Sequence, residues 1–260
     1  MRRIRELIAL AKAVHPGDDF FAGVEQTLKY VPLVRRQYQA YERALSILDL
    51  ESWGVLQAKA VAHFMDHRSG QLKQGFFNQL NDAFGYQYLV RRGYKQVRIL
   101  REVGQTQPDI EYLDGREKRF CEVKTIGFSD WVIARRARVQ RTSSSIYREL
   151  SGGFLRKLAS ALDTADWQIK ARQGKGMIYL LVHFDDFTLD YYDRYRKQIA
   201  ACLESHTAES IYVKIGLLGG KHIRKVTIRS SSVAPNPSYG EGRAKSGAPL
   251  IETLKADAQN

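Results

Sequence analysis

Apolar residues recur at helical spacing through the first quarter of the chain. Ile4, Leu7, Ile8, Ala11 and Val14 form one stripe, which His15-Pro16-Gly17 ends. A second periodic stretch covers residues 34–48. A third, with Ser52 as its expected N-cap, carries Trp53, Val55, Ala58, Val61, Ala62 and Met65 until Ser69-Gly70 breaks it. Residues 77–92 predict one amphipathic helix, with Leu80, Phe84, Tyr88 and Leu89 on one side and Gly93 as its C-terminal cap. The period then changes. Residues 97–100, 110–113 and 119–125 read as strands, the last two joined across Asp114-Gly115, a strong hairpin signal. Residues 154–171 return to helical periodicity. Residues 177–184 are continuously apolar, as in a buried strand. A further helix over 189–203 and two strands, 211–218 and 223–228, around Gly219-Gly220 complete the pattern. From about Ser230 the chain is rich in Ser, Pro, Gly and Ala, which predicts a flexible tail. No internal repeat is visible.

The pattern divides the chain into an N-terminal helical region, 1–75, an α/β core with a C-terminal β-hairpin extension, 76–229, and a tail, 230–260. A length of 260 residues suits one such core with additional helices. Its central order is α-β-β-β-α-β.

Composition narrows the function classes. Hydrophobic content of 44% with 27% charged residues excludes disorder of the whole chain. Two cysteines, Cys121 and Cys202, exclude a disulfide framework and a Cys-rich zinc module. No uncharged apolar run approaches the roughly 18 residues of a membrane span, and nothing signals export, so the cytoplasm is the expected location. Lys and Arg number 41 against 28 Asp and Glu, a formal charge of +13. Such a surface attracts polyanions. Interleaved Tyr, Phe and Trp favour nucleic acid over an acidic protein, because they add base stacking to phosphate contact. An anionic membrane fits less well, because no basic helix has a continuous bulky apolar face.

The chemistry sits in Pro108-Asp109-Ile110-Glu111 and Glu122-Val123-Lys124. If Asp114 and Gly115 form the turn, Leu113 faces Arg116, Asp109 faces Phe120 and Glu111 faces Lys118. Side chains alternate faces along a strand. Asp109, Glu111, Lys118, Phe120, Glu122 and Lys124 then share one face, and Ile110, Tyr112, Cys121 and Val123 share the other. A four-residue turn preserves this parity and an odd one reverses it. Clustered carboxylates repel and raise one another's pKa, a conflict that a divalent cation with oxygen ligands resolves. A neighbouring lysine can stabilise an attacking hydroxide or a phosphate oxyanion. Together with the basic surround, this points to phosphodiester hydrolysis.

Pro108-Asp109, a hairpin's length, then Glu122-Val123-Lys124 resembles the PD-(D/E)XK nuclease superfamily, over about residues 78–184. The resemblance implies a restriction-endonuclease-like fold with a mixed sheet. It implies Mg²⁺, with Mn²⁺ as a possible substitute, held by Asp109, Glu122 and the Val123 carbonyl, and Lys124 positioning or activating the attacking water. Many members add an acidic residue, usually Glu, from the first core helix. Asp82 stands in that place here, one methylene shorter, and Glu111 is an alternative carboxylate. Some members set a helical Gln or Lys beside the metal. Arg156, Lys157, Gln168, Lys170 and Arg172 all lie on the matching helix, and the sequence does not choose among them. Trp131, Arg135, Arg136, Arg138 and Arg141, in the segment after the third strand with Arg148 and Ser143-Ser144-Ser145, are expected to contact the DNA backbone.

Other constellations are weaker. His63 and His67 have zinc-ligand spacing but lack further Cys or His nearby. Asp185-Asp186 read as loop residues. Ser143-Ser144-Ser145 lacks a nucleophile-elbow context. Gly174-Lys175 and Gly220-Lys221 lack the first glycine of a Walker A loop. The expectation is a Mg²⁺-dependent DNA endonuclease, with RNA and a homodimer left open. A non-catalytic nucleic-acid-binding protein is the alternative, and a salt-bridged structural face is a third.

Overall fold

A run of helices precedes the first strand, later helices alternate with strands, and the two sets of helices cover opposite faces of one sheet. The computed structural model describes residues 1–66, 73–102, 107–127, 148–184, 189–218, 221–226 and 250–252. Helices α1 (Arg2–Val14), α2 (Val24–Tyr30), α3 (Pro32–Leu45), α4 (Leu50–Ala62), α5 (Gln74–Leu80) and α6 (Asp82–Arg91) precede strands β1 (Lys95–Ile99), β2 (Ile110–Asp114) and β3 (Glu117–Ile126). Then follow α7 (Gly152–Ala171), β4 (Gly176–Val182), α8 (Tyr192–Ser205), β5 (Ser210–Ile215) and β6 (His222–Val226), with a short β7 (Leu250–Glu252). The sheet order is β1-β2-β3-β4-β5-β6-β7. The β3-β4 and β4-β5 pairs are parallel, and the other pairs are antiparallel. The chain is therefore mixed α/β, and β7 pairs with β6 inside the stretch expected to be a tail.

Each sheet face is covered. Ile110, Tyr112, Cys121, Val123, Met177, Tyr179 and Leu181 pack with the helices that precede β1 in one continuous core. Ile178, Leu180, Val182, Ile211 and Val213 pack with Leu158, Leu162 and Ala165 of α7 and Tyr195, Ile199 and Leu203 of α8. This is why β4 reads as an unbroken apolar run: all seven residues are buried. The N-terminal helices are one side of the sheet's own core.

Three local expectations change. Asp49, not Ser52, caps α4, its carboxylate accepting from the Ser52 amide at 2.7 Å. Ser52 lies within the helix, and its hydroxyl accepts from the Ile99 amide of β1 at 3.2 Å. The helix expected over 77–92 is two, α5 and α6, divided at Asn81. The Asn81 amide donates to Thr125 Oγ1 at 2.8 Å, and its oxygen accepts from the Tyr41 hydroxyl at 3.3 Å. Both helices keep apolar residues inward, so the periodicity runs through the break unmarked. Gly93 does terminate α6: its amide and that of Tyr94 return to Val90 and Leu89 in a Schellman arrangement.

The third change is the hairpin. Asp114 pairs with Glu117 and Glu111 with Phe120, so Gly115 and Arg116 are the turn residues. Gly115 has φ +64, as a type II′ turn requires at its first central position. The pairing differs from the expected one by two residues in register, so the face each side chain occupies is unchanged.

Candidate active site

The site forms where β3 outruns β2. Their pairing stops at Ile110 and Cys121, while β3 continues beside β4 to Ile126. Beyond that point the β2 side of β3 needs other hydrogen-bond partners. Asp109 supplies one, its Oδ2 accepting from the Val123 amide at 2.9 Å. In an extended strand a residue's N–H and C=O point to the same side. The Val123 carbonyl therefore faces the gap that Asp109 borders.

Helix α6 closes the gap from the other side. A Cβ on Gly85 would sit 2.7 Å from Val123 Cγ2 and 3.2 Å from Ile110 Cδ1, so only glycine allows this approach. One turn earlier, the close contact brings the buried Asp82 carboxylate to the cleft. The cleft has a volume of about 570 Å³, and its lining includes Asp82, Asp109, Glu122, Val123, Lys124 and Gln168.

Two lysines divide the acids between them. Lys124 Nζ stands 2.7 Å from Glu122 Oε1 and donates to Gln168 Oε1 at 2.6 Å. The structure thus selects Gln168 among the helical candidates. Lys170 instead pairs with Asp166, Arg172 donates to Gln107, and Lys157 donates to the Gly127 carbonyl. The second lysine is Lys59 of α4, which lies outside the motifs visible in the sequence. Its Nζ lies 2.8 Å from Asp82 Oδ2, 3.2 Å from Asp109 Oδ1 and 3.9 Å from Glu102 Oε1, with the side chain only 5% exposed. Ser52, Val55 and Lys59 fall on one face of α4, all buried. A lysine in phase with a buried stripe was the available signal.

Burial is the main electrostatic force here. It pushes Glu122 up to about 9, reinforced by the Asp109 charge and only partly offset by Lys124. It pushes Asp82 up to about 7, again reinforced by Asp109 and opposed by Lys59. For Lys59, burial opposes the charge, but Asp82 and Asp109 outweigh it and the pKa is raised.

Glu111 is not part of this cluster. It shares the strand face but sits farther along the hairpin, bound to Arg98 at 2.6 Å and Lys118 at 3.2 Å. Those two cations already neutralise it. His63 contacts Asp66 and Glu102. Trp131, Arg135, Arg136, Arg138, Arg141, the three serines, His67 and Asp185-Asp186 lie outside the described residues.

Comparison with family models, curated proteins and solved structures finds no match.

The donors themselves indicate what the cleft can hold. Among the described residues no three Asp, Glu, His or Cys side chains are spaced as a metal-ligand group. The two ammonium groups stand among the carboxylates instead. Glu122 Oε2, however, is buried with no hydrogen-bond partner. An orphaned carboxylate oxygen in an interior costs free energy unless a proton or a cation meets it. Glu122, Asp109 and Val123 line one cleft, where two carboxylates and a backbone carbonyl would offer a hard divalent ion oxygen donors only.

Proposed function

We propose that the chain is a Mg²⁺-dependent nuclease that hydrolyses phosphodiester bonds in DNA, with Mn²⁺ as a substitute ion, on a restriction-endonuclease-like core. The α6-β1-β2-β3-α7-β4 succession supports that core. The observation that carries the reading is Glu122 Oε2, buried and unpartnered beside a lysine in an oxygen-lined cleft.

Asp109, Glu122 and the Val123 carbonyl would hold the ion. When bound, it would polarise the scissile phosphate and acidify a water molecule. Lys124 has three ammonium protons, of which Glu122 and Gln168 take two. The third is available to orient the attacking water or meet charge developing on the phosphate. Gln168 restricts the Lys124 side chain and so fixes where that proton points. The surplus of basic residues supports capture of the polyanion.

A second reading, a nucleic-acid-binding protein without catalysis, draws on Lys59 and Lys124, which already pair with Asp82, Asp109 and Glu122. Asp109→Ala separates the two. The nuclease reading expects loss of Mg²⁺-dependent plasmid cleavage with DNA binding retained. Equal cleavage by wild type and variant would refute Asp109 as a ligand, and binding without cleavage by wild type, whatever the metal, would establish the second reading.

A further inference from the structure

The reach of Lys59 into the acidic cluster concerns how many ions the cleft accepts. Among the described residues, four carboxylates, Asp82, Glu102, Asp109 and Glu122, line it against two ammonium groups, Lys59 and Lys124. With every one of these carboxyls ionised, the state a bound cation favours, the carboxylates and ammonium groups together carry a surplus of two negative charges, which one divalent ion cancels. A second divalent ion would leave these groups with two uncompensated positive charges, an unfavourable state beside the buried Lys59, Asp82 and Glu122.

Geometry assigns the ammonium groups unequal tasks. Lys124 leaves one oxygen of Glu122 unpartnered. Lys59 bridges Asp82 and Asp109, so the space where a second cation would be shared by these carboxylates is already filled by a positive charge. Its hydrogen bonds to Asp82 and Asp109 are 2.8 and 3.2 Å long, and its stem is packed within the core side of α4. The Asp109 oxygen bound to Lys59 is Oδ1, and the one bound to the Val123 amide is Oδ2. Lys59 and β3 therefore grip the same carboxylate from two sides and fix its orientation.

We infer that Lys59 is a built-in cation that takes the place of a second metal ion, limiting the site to one divalent ion and using Asp82 as its counter-charge instead of as a metal ligand. The inference rests on the nuclease reading and refines its metal site. Lys59 acts here as a positioning residue, on Asp109.

Mn²⁺ binding to the full chain, measured by titration calorimetry and by the electron paramagnetic resonance of free Mn²⁺, tests it without reference to cleavage. Wild type should bind one ion. Lys59→Met should bind two, because two carboxylates lose their cation. Lys59→Arg, which keeps the charge, should bind one. Asp82→Asn should keep the single ion with affinity within about threefold, whereas Asp109→Asn should lose at least about tenfold, the scale of a lost first ligand or its support. The Asp82 arm decides the matter if Lys59→Met does not fold. Two ions in wild type, one in folded Lys59→Met, or a tenfold loss in Asp82→Asn would each overturn the inference and leave the nuclease reading standing. No ion in wild type would overturn both.

Discussion

Glu122→Gln should make the metal-free protein more stable, increasingly so as pH rises. The folded chain keeps the Glu122 carboxyl protonated up to about 9, because burial and the Asp109 charge both disfavour the anion, whereas its ordinary value is 4.5. Between those limits the folded state holds a proton that the unfolded chain has released. Stability is then present at low pH and falls as pH rises, by about 1.4 kcal/mol per unit. From about pH 5 to about pH 7 the loss from this one group is about 3 kcal/mol. Glutamine has the same shape and no charge, so it removes this slope. The raised Asp82 carboxyl acts in the same direction in both proteins and largely cancels in the comparison. Thermal unfolding in EDTA at a series of pH values reads the difference. For a chain of this size it is about 5 to 10 °C in Tm at neutral pH and close to none near pH 5. Saturating Mg²⁺ should reverse the order, since only the carboxylate binds it well and ligand binding stabilises the folded state. Parallel curves for wild type and variant across the pH range would refute the buried Glu122 carboxyl, with its unpartnered Oε2, on which the proposed site rests.

Further expectations concern the groups around it. Gln168→Leu should leave DNA affinity intact and slow cleavage by about three- to tenfold, the value of one net hydrogen bond to Lys124, in single-turnover assays. Neutralising Arg135, Arg136 and Arg138 together should lower the log-log salt slope of DNA binding by about 2 to 3, and an unchanged slope would return that segment to solvated surface.

The parts of this account that were legible in the sequence are those governed by period two. The parity of the hairpin put Asp109, Glu122 and Lys124 on one face whether the turn was Asp114-Gly115 or, as found, Gly115-Arg116, because the two registers differ by an even step. Turn placement itself depended on which residue takes positive φ, and glycine occupies that corner. Glu111 shared the parity but not the site, since parity fixes a face and not a position along it. Arg98, from the neighbouring strand, claims it. Lys59 and Asp82 meet only through tertiary packing of α4 and α6 on the sheet, and no local pattern records a contact between residues so far apart in the chain. Gln168 was one of several equivalent polar residues on α7 until the helix's orientation against β3 selected it.

The most direct test of the central claim is Mg²⁺-dependent cleavage of plasmid and single-stranded DNA by wild type and Lys124→Ala, with EDTA controls and binding measured on the same samples. Lys124 is one charge among 41 Lys and Arg residues, so its loss should barely change affinity. A transition-state role for Lys124, as proposed, would be worth about 2.7 to 4 kcal/mol, so cleavage should fall roughly a hundred- to thousandfold. Lys124→Arg should recover part of the rate, because a planar guanidinium does not fill the ammonium's place. Parallel loss of binding and cleavage would make Lys124 a substrate anchor, and absence of cleavage by wild type with Mg²⁺ or Mn²⁺ on either substrate would contradict the account.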